Sequence, residues 1–185
     1  MQSVTRRSIL TGGTLAAALA PGKPRAAVRP GLPGGLAGLH VLTPPRPLPP
    51  LRFRDAAGLV HTLAEYHGRG VVLNLWATWC APCVLELPSL TRMARALSGS
   101  HITVLAISAD LGGAKVVERF YAAHRITDLP VLLDPEGVIL HALGARGLPT
   151  TYLITPAGRE AGWIEGAQSW AAAASVARVR ALIGG

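Results

Sequence analysis

The only two cysteines of this 185-residue sequence stand three apart in Trp79-Cys80-Ala81-Pro82-Cys83, and they are the residues best suited to chemistry. An almost unbroken apolar run, VVLNLW at 71–76, leads into them, as expected of a strand covered on both faces. A helix begins on them, over 81–97, with Leu85, Leu87, Leu90, Met93, Ala94 and Leu97 forming a broad apolar stripe. Cys80 therefore falls at a helix N-terminus, where unpaired N–H groups and the helix dipole favour a thiolate. Cys80 is then the attacking thiol and Cys83, one turn inward, the resolving one. A bridge between them closes a very small loop and removes little unfolded-state entropy, so it suits electron exchange better than stapling. Pro82 fits the first helical turn, where a missing N–H costs nothing.

Other uses of a cysteine pair make demands that can be checked. Structural zinc needs two more ligands, and His40, His61, His67, His101, His124 and His141 show no paired ligand spacing. Covalent haem attachment needs a His after the second cysteine, where Val84 stands. A peroxidatic cysteine on a related scaffold needs Pro and Thr ahead of it in a helical turn, which Ala77-Thr78-Trp79-Cys80 does not supply. A structural bridge or two inert buried thiols stays open, as does a soft Cu(I) site of both thiolates with His141 as a further ligand.

The elements that must position the pair alternate in type. A small hairpin is expected over 52–60, a second buried strand over 102–108 (ITVLAIS), a helix over 114–124 and a short strand at 131–133 closed by a turn at 134–137. Strands at 151–154 and 161–164 flank the turn Pro156-Ala157-Gly158 as an antiparallel pair, and a helix over 168–183 closes the chain. The order is α/β, with a parallel portion and an antiparallel edge.

The net charge of +8 would point to nucleic acid or a membrane surface if it were evenly spread. It is not, because residues 1–50 carry six basic residues and no acidic one, while 51–185 carry twelve basic and ten acidic. Nine of the fifteen prolines also precede Leu51. Residues 1–22 read as a signal peptide: the paired Arg6 and Arg7, an uncharged stretch at 9–20, and small residues after it. Twelve residues rise about 18 Å as a helix, short of the roughly 30 Å of a bilayer core. The paired arginines resemble the twin-arginine export signal. Left uncleaved, the segment would act as a membrane tether. Residues 23–50 are expected to be a Pro/Gly-rich linker and 51–185 one folded domain. The basic segment lacks interleaved aromatics, so no nucleic-acid partner is expected.

The sequence resembles the thioredoxin superfamily and, within it, the exported bacterial branch typified by TlpA and ResA. The resemblance rests on NLWATWCAPC at 74–83, Glu86 and Pro88, and GLPTTYLI at 147–154 followed by Gly158, and it covers about residues 51–185. It implies an α/β thioredoxin-like fold: a central mixed sheet with helices on both faces, an N-terminal hairpin and an inserted α-β unit at 114–133. It implies that Pro149 is the cis-proline beside the disulfide, and that Trp79, Leu148 and Pro149 contact substrate. Plain thioredoxin carries a buried Asp where this chain has Asn74. Glu86, one turn beyond Cys83, matches the acidic residue of the exported branch and is expected to take its place, accepting a proton from Cys83.

The activity so implied is that of a periplasmic protein-disulfide oxidoreductase that needs neither cofactor nor metal. Cys80 and Cys83 cycle through a redox disulfide, and reduction of substrate disulfides is the expected direction, with a dithiol oxidant or a Cu(I)-carrying module as alternatives. The resemblance also implies substrates such as apocytochrome c or copper-site assembly proteins, a membrane electron donor of the DsbD or CcdA kind, and a monomer.

Overall fold

The first strand is one that composition argues against. A computed structural model describes residues 34–184; the signal segment expected at 1–22 and the start of the expected linker, 23–33, lie outside the described residues. Within them His40–Pro47 is a strand, β1, although Pro44, Pro45 and Pro47 belong to it. The expectation of a linker up to residue 50 is therefore corrected over this stretch. Proline cannot donate to a ladder on both sides, but β1 lies at the edge of the sheet and pairs only with one neighbour, across an irregularity between Val41 and Arg46.

The expected hairpin follows as β2 (Arg52–Asp55) and β3 (Val60–Thr62), then a single 3-10 turn at Leu63–Tyr66. β4 (Gly70–Trp76) runs into α1 (Ala81–Ala96), and β5 (Ile102–Ser108) into α2 (Ala114–His124). After β6 (Leu132–Leu133) comes a five-residue helix, α3 (Val138–Ala142), too short to leave a periodic signal in the sequence. β7 (Thr150–Ile154), β8 (Arg159–Glu165) and α4 (Ala173–Ile183) complete the fold. The sheet order is β1-β8-β7-β4-β5-β6-β2-β3, with β4, β5 and β6 parallel and the other pairs antiparallel.

All seven residues of β4 are buried, and they alternate between two cores. Val72 and Trp76 face the larger one, with Leu87, Leu90 and Met93 of α1, Val117 and Tyr121 of α2, and Val179 and Ile183 of α4. Val71, Leu73 and Leu75 face the smaller one, closed by Leu51, Phe53, Leu63 and Ile139. The mixed sheet with helical cover on both faces is as expected, though α3 and the 3-10 turn supply little of it. α4 starts five residues later than its expected start at 168, which leaves 166–172 as a loop at the same end of the sheet as the cysteines.

β1 also supplies a charge. Glu160 on β8 has no solvent exposure, and its two oxygens accept from Arg46 Nε at 2.7 Å and Nη2 at 3.3 Å. Removing one partner of a fully buried pair costs about 3–5 kcal/mol, and a half-exposed guanidinium reduces that. Arg46→Ala is expected to lower unfolding stability by about 2 kcal/mol. Arg146→Ala, which breaks the more exposed pair to Glu165, should cost less than about 1 kcal/mol. Urea unfolding would measure both, and equal losses would show that β1 does not hold the Glu160 charge.

Candidate active site

The cysteine pair sits where the central strand turns into a helix. Cys80 and Cys83 are joined as a disulfide with their Cα atoms 5.2 Å apart. Cys80 is the N-cap of α1, and its sulfur takes the place that a capping oxygen occupies elsewhere, accepting from the Cys83 N–H at 3.3 Å. The same end of the helix offers its dipole to a thiolate once the bridge opens. Cys83 is fully buried, whereas Cys80 keeps a small accessible surface. Of the two sulfurs, only that of Cys80 is therefore open to a partner.

The turn before Cys80 is braced by Asp110, a buried carboxylate that was not anticipated from sequence. It accepts from the Thr78 N–H at 2.9 Å, the Thr78 hydroxyl at 2.6 Å and the Ser108 hydroxyl at 2.7 Å. Its position two residues past the end of a buried strand was the one available signal. Trp79 projects from this turn with 69% of its surface exposed. With Pro82, Leu140, Gly147 and Leu148 it borders an open apolar cleft of about 470 Å³ that reaches Cys80. The Leu148–Pro149 peptide bond is cis, and Pro149 itself is buried at the start of β7. The structure thus brings Trp79 and Leu148 to Cys80. A burial role for Trp79 is ruled out by its exposure.

Glu86 is enclosed completely. One turn past Cys83, it has no solvent exposure. Oε1 accepts from Asn74 Nδ2 at 2.8 Å, and Oε2 accepts from the Gln168 backbone N–H at 2.9 Å and from Trp170 Nε1 at 2.8 Å. Burial pushes the carboxyl above the ordinary glutamate range, and the three donors work against that push. Asn74, at the position of the missing Asp, is therefore the neighbour of the acid and shares its other amide hydrogen with Thr151 Oγ1 at 2.8 Å. Gln168 and Trp170 were not anticipated, because they lie 82 and 84 residues from Glu86 in the sequence. Ser89 secures the same loop, accepting from the Trp170 N–H at 3.1 Å.

Among the described residues no group of three or more His, Cys, Asp or Glu side chains is gathered as a metal site, so His141 is not brought to the sulfurs as a third ligand. Among the same residues no helix is long and apolar enough to cross a membrane.

Comparison with known proteins agrees with this geometry. The sequence pattern of the AhpC/TSA family matches residues 45–159. The thiol-disulfide oxidoreductase ResA of Geobacillus thermodenitrificans is 35% identical over 112 residues, covering 60% of this chain and 63% of that protein. ResA of Bacillus subtilis is 31% identical over 107 residues, 58% of this chain and 59% of that protein. The chain thus matches about three fifths of the length of these curated relatives. Among solved structures, a thiol:disulfide interchange protein described as a putative DsbE, from Chlorobium tepidum, superposes with a TM-score of 0.61 at 25% identity, over 75% of this chain and 91% of that one. The exposed lipoprotein thioredoxin of Streptococcus pneumoniae gives 0.55 at 27% identity, over 64% and 90%.

The enclosed carboxyl should be visible in stability. Its pKa is raised on folding, so its favourable contribution is complete below the ordinary glutamate value and is lost as pH rises through the folded value. Oxidised wild-type protein is therefore expected to lose stability relative to Glu86→Gln across that window, and the gap should level off above it. Parallel urea midpoints at every pH would mean that burial does not hold this group up.

Proposed function

The chain belongs to the AhpC/TSA family of thioredoxin-like proteins, and from that premise we propose that it is an exported protein-disulfide reductase acting through Cys80 and Cys83. The observation that carries the reading is the placement of a reachable Cys80 sulfur at the N-terminus of α1, under an apolar cleft, with the buried Cys83 bonded behind it. In the reduced protein the Cys80 thiolate attacks one sulfur of a substrate disulfide. A mixed disulfide forms and the other substrate sulfur leaves as a thiolate. Glu86 then takes the proton of Cys83, whose thiolate attacks Cys80 Sγ. The second substrate sulfur departs, the substrate has gained two electrons, and the Cys80–Cys83 bridge is restored.

Trp79 and Leu148 border the cleft in which an extended substrate segment would lie, and Pro149, buried between Leu148 and β7, follows through a cis peptide bond. The names of the ResA and DsbE relatives support thiol-disulfide exchange with proteins. The periplasm, reached by the twin-arginine segment at 1–22, follows from the sequence reading. The substrates in this reading are apocytochrome c or copper-site assembly proteins, and electrons come from a membrane donor of the DsbD or CcdA kind.

Three measurements test the proposal. Cys83→Ser should accumulate a mixed disulfide with its substrate through Cys80, which names the substrate, while Cys80→Ser should form none. Alkylation trapping of the wild-type protein in its native compartment should find mainly free thiols; mainly disulfide would make it an oxidant instead. Trp79→Ala should leave the urea midpoint nearly unchanged but raise KM for a protein disulfide about tenfold. An unchanged KM would remove Trp79 from the substrate surface.

A further inference from the structure

The two oxygens of Glu86 are not equivalent. Oε2 accepts from a backbone N–H and an indole N–H, neither of which can act as an acceptor in return. Those two bonds occupy both of its lone pairs. Among the described residues Oε1 accepts only from Asn74 Nδ2, which leaves one lone pair without a donor there. The Asn74 amide plane is fixed by its second bond to Thr151 Oγ1, and its own Oδ1 has no partner among the described residues. The resolving cysteine lies three residues earlier on the same helix, so it shares a face with Glu86.

We infer that Asn74 and Trp170 are positioning residues: with the Gln168 N–H they hold Glu86 so that a proton enters at Oε1, and they set the pH at which it does so. This rests on the reading that Glu86 takes the Cys83 proton. In that step the Cys83 S–H bond breaks and an O–H bond forms at Oε1. The electron pair left on Cys83 Sγ makes the new bond to Cys80 Sγ, and the Cys80–substrate bond breaks with its pair on the departing sulfur. Each N–H donor favours the charged carboxylate and so resists the shift that burial imposes. Besides the two cysteines, the ionisable groups on the surrounding elements are engaged or remote. On β7 and β8, the Tyr152 hydroxyl donates to Leu143 O, Glu160 pairs with Arg46 and Glu165 with Arg146. On α1 and α4, Arg95 pairs with Asp128, Arg180 donates to Ala96 O, and Arg92 and Arg178 are exposed.

The test uses the reduced full chain and dithiobis-nitrobenzoate. The first thionitrobenzoate released reports attack by Cys80; the second reports resolution by Cys83, and its rate is followed against pH. In wild type the second phase should rise with pH through the Glu86 titration. Trp170→Phe and Asn74→Ala each remove one donor and should move that rise upward by about one pH unit, near tenfold in proton concentration. A merely structural role would lower stability or the plateau rate and leave the rise in place. If Trp170→Phe does not fold, Asn74→Ala carries the same expectation. A rise that stays put or moves down in the folded variants, while Glu86→Gln abolishes it, overturns the clamp and leaves the role of Glu86 intact. A wild-type rise in Glu86→Gln overturns that role itself.

Discussion

A carboxyl group with no contact with water sits one helical turn behind Cys83, and much of the fold is arranged around what that group requires. A buried carboxyl must be given donors or surrender its charge. Glu86 receives donors from a central strand and from the loop before the last helix, so three elements distant in sequence are drawn to one point. The requirement explains why β4, otherwise apolar, carries an amide at position 74. Pro88 removes one helical N–H just past Glu86, and the Ser89 hydroxyl beside it lies 2.9 Å from Glu86 O and 3.1 Å from Gln168 O, tying helix and loop together.

Three further buried carboxylates among the described residues are accommodated differently, and Asp134 accepts from the Val138 and Ile139 N–H groups at the start of α3. Asp110 is satisfied locally by hydroxyls and one backbone N–H, which fixes the turn carrying Trp79 and Cys80 without placing a positive charge near the thiols. Glu160, away from the cysteines, is neutralised outright by Arg46. Glu86 is held by three N–H donors and no cation, and burial pushes its carboxyl above the ordinary glutamate range.

The parts of this arrangement that were legible in the sequence are those specified by short spans. The buried run into Cys80, the helix start and the three-residue step to Cys83 lie within about a dozen residues, and each follows from strand, cap and dipole chemistry. Glu86 was recognisable as the acid near the thiols. Its donors were not, because Gln168 and Trp170 lie 82 and 84 residues away and an alanine-rich stretch reads as helix throughout. β1 was hidden for a related reason. Proline forbids a place inside a sheet, but whether a strand is inside or at the edge is decided by β8, more than a hundred residues later, as is the partner of Arg46.

That proline-bearing edge bears on how the molecule handles other polypeptides. Three of the eight residues of β1 have no N–H to offer, and the strand is broken by an irregularity. An unfolded segment seeking a strand to zip onto finds poor purchase along this border. In the function proposed above, client chains would be met while still extended, and a second adhesive seam far from Cys80 would hold them where no sulfur can act. By dulling one flank of the sheet, the prolines would then favour capture at the cleft, so that docking and chemistry fall in the same place.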